Sequence, residues 1–251
     1  MWHRPLASPL PFIEKRWQLG DGSRSCGALV LFSLDAPDAD REQFASLLSG
    51  EETARAARFL ADIHRRHFVV VHGRLRQLLS APLGLAPEAI AFGAGPHGKP
   101  ELTGAGARSG LHFNLSHSDG VGLVGWSWNR QIGVDVEVWR TMRDAAALVR
   151  RFFSPAEITA WEALPEGERQ EAFFNLWTRK EAYIKALGRG LSLPLNSFDV
   201  SHQSCTGARL LRPSTLAADS RQWSLAAPAG EPGLSLAVVL EAGVCHTSPE
   251  V

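Results

Sequence analysis

Short apolar runs of strand length alternate with longer helical segments along this chain, and the alternation starts a second time after residue 130. Strand patterns are predicted at residues 28–32, 89–92, 112–116, 121–128, 132–138, 198–201, 222–225 and 234–240. Helix patterns are predicted at 51–79, as one or two helices, and at 142–151, 155–164 and 168–187. Each half therefore mixes helices with a small antiparallel sheet, which predicts an α+β fold with halves at 1–130 and 131–251.

Two local signals predict where helices of the second half begin and end. Ser154, followed by Pro155 and by Glu157 three positions later, has the composition of a capping box. Gly188 is well placed to end the last long helix, because glycine adopts the left-handed conformation found at helix ends.

Composition and charge exclude several classes of function. The 251 residues are 45% apolar, and 26 Lys and Arg residues balance 26 Asp and Glu residues, so no overall field favours nucleic acid or an anionic membrane. No signal peptide is apparent, and no run approaches the roughly 18 apolar residues of a membrane span. Cys26, Cys205 and Cys245 stand far apart, without a CxxC pair. We therefore expect a cytoplasmic protein without disulfides, and with neither nucleic acid nor membrane as a partner.

Two carboxylates share one side of a predicted strand. In residues 132–138 (IGVDVEV) the period of two sends the apolar residues to one face, and Asp135 and Glu137 to the other. We expect the two side chains to share a surface patch, where a cation would relieve their repulsion. Oxygen ligands of this kind suit magnesium. The alternative is an edge strand with a solvated acidic face.

A second pair of charged residues lies one helical turn apart. Glu181 and Lys185 face the same way in the segment 177–185 (WTRKEAYIK). One interpretation is an ion pair within the helix, and the other is a third metal ligand next to a cation for a phosphate group.

The third candidate cluster is the segment 113–118 (FNLSHS), in which Ser116 and His117 follow one another, with His97-Gly98-Lys99-Pro100 nearby in sequence. A turn serine and a hydrogen-bonded structural histidine are the alternative interpretation. Neither a nucleophile elbow nor a P-loop or dinucleotide fingerprint occurs, so the familiar nucleotide folds are not supported.

Six motifs together carry more information than any one of them. They follow one another as residues 97–100 (HGKP), 113–118 (FNLSHS), 133–137 (GVDVE), 151–157 (RFFSPAE), 177–185 (WTRKEAYIK) and 190–195 (GLSLPL). In this order the chain resembles the Sfp-type 4'-phosphopantetheinyl transferases over about residues 55 to 200. The resemblance implies a monomeric pseudo-dimer of two similar α+β halves, with coenzyme A in the cleft between them.

The resemblance also implies roles for residues at matching positions. Asp135, Glu137 and Glu181 match magnesium ligands, and Lys185 matches the lysine that contacts the coenzyme A pyrophosphate. Ser116 and His117 match residues near the adenosine 3'-phosphate, and Lys99 and Pro100 match the loop that borders the adenine.

The first long helix supplies basic residues for the 3'-phosphate in this family, and Arg58 is the best match because Arg58-Phe59 keeps the family's Arg-Phe pair. Two positions depart from the pattern: Phe68 stands where some relatives have a hydroxyl, and Glu52 stands where some have a lysine. The remaining candidates for phosphate contacts are Arg55, Arg65 and Arg66.

The implied reaction transfers the phosphopantetheine of coenzyme A to a serine of an apo acyl or peptidyl carrier protein, with adenosine 3',5'-bisphosphate as the leaving group. Magnesium and Lys185 would neutralise the pyrophosphate charge, while Glu181 would accept the serine proton, directly or through water. Asp135 would serve the same catalytic centre as a metal ligand. Two alternatives stay open: a metal-dependent phosphodiesterase that acts on coenzyme A, and a non-catalytic module that binds carrier proteins.

Overall fold

In the N-terminal half a four-stranded antiparallel sheet packs against one long helix. The computed structural model describes residues 14–20, 25–204, 207–215 and 221–242. The elements of this half are β1 (Glu14–Gly20), β2 (Ser25–Ser33), α1 (Asp38–Ser46), α2 (Gly50–Ala56), α3 (Asp62–Leu83), β3 (Ala91–Ala94), β4 (Pro100–Thr103), β5 (Leu111–Ser118) and β6 (Val121–Trp128). The sheet has the strand order β1-β2-β6-β5, and β3 and β4 form a separate two-stranded ribbon.

The C-terminal half repeats this combination of a small antiparallel sheet and a long helix. Its elements are β7 (Ile132–Val138), α4 (Ala145–Phe152), α5 (Pro155–Glu162), α6 (Glu166–Leu187), β8 (Asp199–Val200), β9 (Leu210–Arg212), β10 (Trp223–Ala226) and β11 (Leu234–Glu241). The main sheet has the order β10-β11-β7, which leaves β7 at an edge, and α6 packs against β7 and β11.

The two sheets face each other between two helical layers. One face of β2 carries Val30, which belongs to the same apolar cluster as Leu75 of α3, and the other face carries Leu31, which belongs to the same cluster as Val134 of β7. The far side of the second sheet is covered by α6. Residues 28–32 of β2, predicted as a strand from their sequence, are thus all apolar because both faces of the strand are covered.

The expected α+β class, with small antiparallel sheets packed by helices, is confirmed. The division at residue 130, between the halves 1–130 and 131–251, stays a prediction. The chain passes from one sheet to the other between β6 and β7, and the apolar cluster between the sheets contains residues of both halves.

Several predicted element boundaries are confirmed. Ser154 accepts a hydrogen bond from the backbone N–H of Glu157, whose side chain accepts one from the N–H of Ser154, which is the reciprocal capping box. Gly188 ends α6 with φ of 66°. The strand expected at 89–92 lies at Ala91–Ala94 instead, because Pro87–Ala89 forms a turn of 3-10 helix before it.

Cys26 is buried with a free thiol, and Cys205 and Cys245 lie outside the described residues. The N-terminal residues considered for a signal peptide also lie outside them. Within the described ranges no helix has the length and apolar character needed to cross a bilayer.

Candidate active site

β7 places two carboxylates on the side of its sheet that α6 covers. Asp135 and Glu137 alternate with residues that face the apolar cluster between the sheets. Gly133 lies on the carboxylate side, so close to the backbone of Ala182 in α6 that a Cβ atom would overlap it. The glycine therefore allows the helix to approach the strand directly.

Lys185 of α6 reaches across to β7. Its Nζ donates hydrogen bonds to Asp135 Oδ1 at 2.6 Å and to Ser116 Oγ at 3.0 Å. The Ser116 hydroxyl in turn donates to Asp135 Oδ1 at 2.7 Å. Among the ion pairs of the described residues, Lys185 is paired with Asp135 and not with Glu181. The expected ion pair between Glu181 and Lys185 is therefore not among the ion pairs of the described residues, and the role of the two residues in a shared site stays a prediction.

Asp135 is buried, with 4% of its surface exposed. Burial raises the pKa of its carboxyl group, against the opposing effects of the Lys185 charge and the Ser116 hydrogen bond. Its Oδ2 atom has no hydrogen-bond partner among the described residues. The expected surface patch, and with it the alternative of a solvated acidic face, is therefore wrong for Asp135, because α6 covers this part of the strand.

Glu137 is more accessible than Asp135, with 18% of its side chain exposed. Its Oε2 atom accepts hydrogen bonds from Ser118 Oγ at 2.9 Å and from Arg140 Nη1 at 3.1 Å. The carboxylate is thus held by Ser118 of the first sheet and by Arg140, which follows three residues later in sequence.

Glu181 completes the group of three predicted carboxylates. Burial raises its pKa to about 7, together with the negative charges of Asp135 and Glu137, while Lys185 acts in the opposite direction. The three carboxylates are therefore within electrostatic reach of one another, as a shared site requires.

The donor atoms fit a hard cation that brings part of its own coordination shell. Among the described residues no three His, Cys, Asp or Glu side chains form a metal site on their own. Magnesium is commonly held by one or two carboxylates, with waters and substrate phosphates as the remaining ligands. The buried, unpaired Oδ2 of Asp135 and the electrostatic coupling of Glu181 to Asp135 and Glu137 match this pattern.

His117 lies on the face of β5 opposite to Ser116, because side chains alternate along a strand. Desolvation lowers the pKa of its imidazole, and so do the positive charges of Lys185 and of the α3 histidines His67 and His72. His117 therefore lies within electrostatic reach of both α3 and Lys185.

Lys99 lies between β3 and β4 and makes contacts with the second half. Its Nζ donates to Ile132 O at 2.9 Å, Gln131 Oε1 at 3.2 Å and Ala186 O at 3.3 Å. Burial lowers the pKa of its amine to about 8. Pro100 is exposed at the start of β4. The ammonium group thus ties this loop to the C-terminal end of α6.

Arg58 lies in the turn after α2, not on the first long helix, and its side chain is exposed. Its Nε donates to Ala54 O at 3.4 Å. Arg65 and Arg66 both pair with Asp62. Among the described residues, no contact joins Arg58 to the group of carboxylates.

The two departures from the family pattern have structural explanations. Glu52 completes the capping box of α2 with Ser49 and accepts a hydrogen bond from Arg76 at 2.8 Å. Phe68 is buried and stacks on His72, with the ring centroids 4.0 Å apart.

A cavity of about 520 Å³ lies between α1, α2 and α3, and its lining includes Arg41, Arg65 and Arg66. It contains none of the three candidate carboxylates. The cavity is therefore separate from the chemistry proposed below.

Asn114 and Ser118 contact β7 but were not among the predicted site residues. The Val134 N–H donates to Asn114 Oδ1 at 2.8 Å, and the Val138 N–H donates to Ser118 Oγ at 3.2 Å. The signal was available in the segment FNLSHS, where polar residues at every second position mark one face of a strand.

Comparisons with known proteins agree on one family. A model of the 4'-phosphopantetheinyl transferase superfamily matches residues 131–238. The chain is 43% identical over 159 residues to 4'-phosphopantetheinyl transferase HetI of Nostoc sp. (strain PCC 7120), covering 63% of this chain and 67% of HetI. It is 33% identical over 163 residues to 4'-phosphopantetheinyl transferase Sfp of Bacillus subtilis, covering 64% of this chain and 69% of Sfp.

Solved structures show a partial likeness. A holo-(acyl-carrier-protein) synthase from Bacillus anthracis, in complex with CoA (3',5'-ADP), superposes with a TM-score of 0.37 and 18% identity. The match covers 44% of this chain and 94% of the synthase.

Proposed function

Because this chain belongs to the 4'-phosphopantetheinyl transferase superfamily, we propose that it transfers phosphopantetheine from coenzyme A to a serine of an apo acyl or peptidyl carrier protein. The observation that carries the proposal is the contact of Lys185 with the buried Asp135, at a point where Glu137 and Glu181 add two further carboxylates. Carboxylates on a strand and a helix could hold a divalent cation, and a lysine beside them could bind the oxygens of a pyrophosphate.

The reaction we propose is a displacement at phosphorus. The carrier serine oxygen forms a bond to the β-phosphorus of coenzyme A, the bond from that phosphorus to the bridging oxygen breaks, and adenosine 3',5'-bisphosphate leaves with the electron pair. The serine proton passes to Glu181, directly or through a water molecule. Lys185 stabilises the negative charge that develops on the pyrophosphate oxygens.

Asp135, Glu137 and Glu181 are the residues that we propose hold magnesium. A bound magnesium ion would supply positive charge against the pyrophosphate. The support is the unpaired Oδ2 of Asp135, since a buried carboxylate oxygen without a hydrogen-bond donor is costly unless a cation compensates it.

The remaining residues would bind coenzyme A. Arg58 and His117 are proposed for the 3'-phosphate, and Lys99 and Pro100 for the border of the adenine. The ammonium of Lys99 already donates to backbone carbonyls, so its contribution to the adenine would come from the loop and not from this charge. Ser116 is proposed near the 3'-phosphate by resemblance, while its hydroxyl donates to Asp135. Action as a monomer is part of the same proposal.

The test is the mass of an apo carrier protein incubated with coenzyme A, magnesium and this protein. We expect a gain of one phosphopantetheine group and the release of one equivalent of adenosine 3',5'-bisphosphate. A phosphodiesterase would release phosphopantetheine without a carrier protein. A binding module would leave the mass of the carrier protein unchanged and would release neither adenosine 3',5'-bisphosphate nor phosphopantetheine.

A further inference from the structure

Side chains of β5 continue the hydrogen bonding of the second sheet across the junction between the halves. Asn114, Ser116 and Ser118 alternate along β5 and therefore project from the same face. β7 is the edge strand of its sheet, and all three side chains bond to it. Asn114, Ser116 and Ser118 of the first half thus form a row of side-chain hydrogen bonds to β7 of the second half, and we call this row the ladder.

Within the ladder, two serines match two carboxylates in register. Ser116 Oγ donates to Asp135 Oδ1 at 2.7 Å, and Ser118 Oγ donates to Glu137 Oε2 at 2.9 Å. The serines and the carboxylates each lie two residues apart on their strands, so the same step repeats. A single contact of this kind could serve packing alone, but the repeat links both predicted metal ligands on β7 to the first half.

Each serine engages one oxygen of its carboxylate and leaves the other without a donor. Oδ1 of Asp135 receives Ser116 and Lys185, while the buried Oδ2 has no hydrogen-bond partner among the described residues. Oε2 of Glu137 receives Ser118 and Arg140, and no hydrogen bond to Oε1 occurs in the described part of the chain.

Each hydroxyl is itself fixed by a second hydrogen bond. Ser116 Oγ accepts from Lys185 Nζ at 3.0 Å, and Ser118 Oγ accepts from the Val138 N–H at 3.2 Å. A hydroxyl donates one hydrogen bond and accepts others, so Ser116 links Asp135 to the Lys185 ammonium and Ser118 links Glu137 to the backbone of β7. Alanine would remove both links.

We propose that Ser116 and Ser118 are positioning residues that orient Asp135 and Glu137 for a divalent cation. The inference rests on the proposed function only in taking these carboxylates as metal ligands. Hydrogen bonds from outside the ligand shell fix ligand orientation in metal sites generally, and their loss weakens metal binding. For Ser116 this role is distinct from the contact with the 3'-phosphate that the resemblance implies.

The test is metal binding by the full chain, measured without turnover. Mn²⁺ is titrated into protein saturated with coenzyme A, without a carrier protein, and the free ion is counted from its electron paramagnetic resonance signal. We expect Ser116→Ala to weaken Mn²⁺ binding about 10-fold to 100-fold. Ser118→Ala should have a smaller effect in the same direction, because Glu137 is more exposed than the buried Asp135 and water can replace part of the lost hydrogen bonding.

Ser127→Ala is the matched control. Ser127 is fully buried on β6, and its hydroxyl donates to the backbone carbonyl of Arg130, away from both carboxylates. Its loss should leave Mn²⁺ affinity unchanged. Ser116→Thr keeps the hydroxyl and should restore most of the affinity lost in Ser116→Ala. Thermal unfolding checks that each variant is folded, and if Ser116→Ala is not, Ser118→Ala decides the question.

Wild-type Mn²⁺ affinity in both alanine variants would overturn the inference, as would an equal loss in Ser127→Ala or a wild-type protein that binds no Mn²⁺. These results are distinguishable from a failure of the proposed function, which the carrier mass assay tests on the wild type. If the wild type transfers phosphopantetheine but the variants bind Mn²⁺ as the wild type does, the proposed function holds and the positioning role of the two serines is rejected.

Discussion

Gly133 in β7 lies against the carbonyl group of Ala182 in α6, with no room for a side chain between the strand and the helix. This direct contact of two backbones determines how close the charged residues of the two elements can come. Because the strand and the helix touch, Lys185 reaches the buried Asp135 from one helical turn beyond the contact.

Gly133→Ala is expected to destabilise the fold and reduce transfer. The added Cβ would overlap the α6 backbone, and overpacking of this kind costs about 1–3 kcal/mol. Displacement of α6 would also move Lys185 away from Asp135. Denaturant unfolding and the carrier mass assay measure the two effects.

Gly167→Ala is the matched control for this change, since Gly167 lies in the first turn of α6 and an added Cβ there meets nothing within 4 Å. It should stabilise the helix by up to about 1 kcal/mol and leave transfer unchanged. Similar losses in the two variants would contradict the close-approach argument.

Lys185→Met is expected to cost more stability than the double change Lys185→Met with Asp135→Asn. The single variant leaves Asp135 buried and unpaired, and loss of one partner from a buried pair typically costs about 3–5 kcal/mol. We expect the lower end of this range, because Lys185 is 28% exposed. Urea unfolding of wild type, both single variants and the double variant gives the coupling energy.

If Lys185 stabilised only its own helix, its loss would cost a few tenths of a kcal/mol and would add independently to the Asp135 change. Such additivity would show that Lys185 and Asp135 do not stabilise each other.

The sequence was most informative where local chemistry alone determines the structure. β7 has the predicted bounds because its apolar residues alternate strictly, and a shift by one residue would move all of them off the face between the two sheets. Ser154 and Gly188 mark helix ends through hydrogen bonds and a left-handed conformation that involve only neighbouring residues. α1 was missed because its sequence, DADREQFAS, is mostly polar, and Phe44 alone is buried in it.

The parts of the site that the sequence did not predict depend on contacts between distant elements. Alternation indicated that Asp135 and Glu137 share a face, but it contains no information about α6, which covers Asp135. The partner of Lys185 lies 50 residues away in sequence, so helical spacing suggested Glu181 instead. Lys99 similarly bonds to Ala186, 87 residues away.

Lys180→Met is expected to destabilise the protein by about 3–5 kcal/mol, as removal of one partner from a fully buried pair does. Lys180 and Glu157 have side chains 0% and 3% exposed and form an ion pair at 2.7 Å. The Nζ also donates to Leu195 O and Phe198 O, so the pair joins α5 and α6 to the segment before β8. Thermal or denaturant unfolding measures the loss.

The surface pair of Arg150 and Glu162 provides the comparison, with side chains 64% and 44% exposed. Arg150→Ala should cost less than about 1 kcal/mol, because exposed ion pairs contribute little. Equal losses for Lys180→Met and Arg150→Ala would show that burial does not determine the contribution of the inner pair.

Glu52 should make stability depend on pH in acid. Burial alone would raise the pKa of this carboxyl, but hydrogen bonds from His72 and the Ser49 N–H and the charge of Arg76 outweigh it and lower the pKa from 4.5 to about 2. A group with a depressed pKa in the folded state contributes stability that is complete above its unfolded pKa and is lost as pH falls through its folded pKa. The contribution should therefore be complete above pH 4.5 and decline towards pH 2.

Glu52→Gln removes the titrating group, so the free-energy difference between wild type and variant should shrink over this interval. Denaturant unfolding at a series of pH values measures it, and a difference that stays constant from neutral pH to pH 2 would show that Glu52 titrates alike in the folded and unfolded chains.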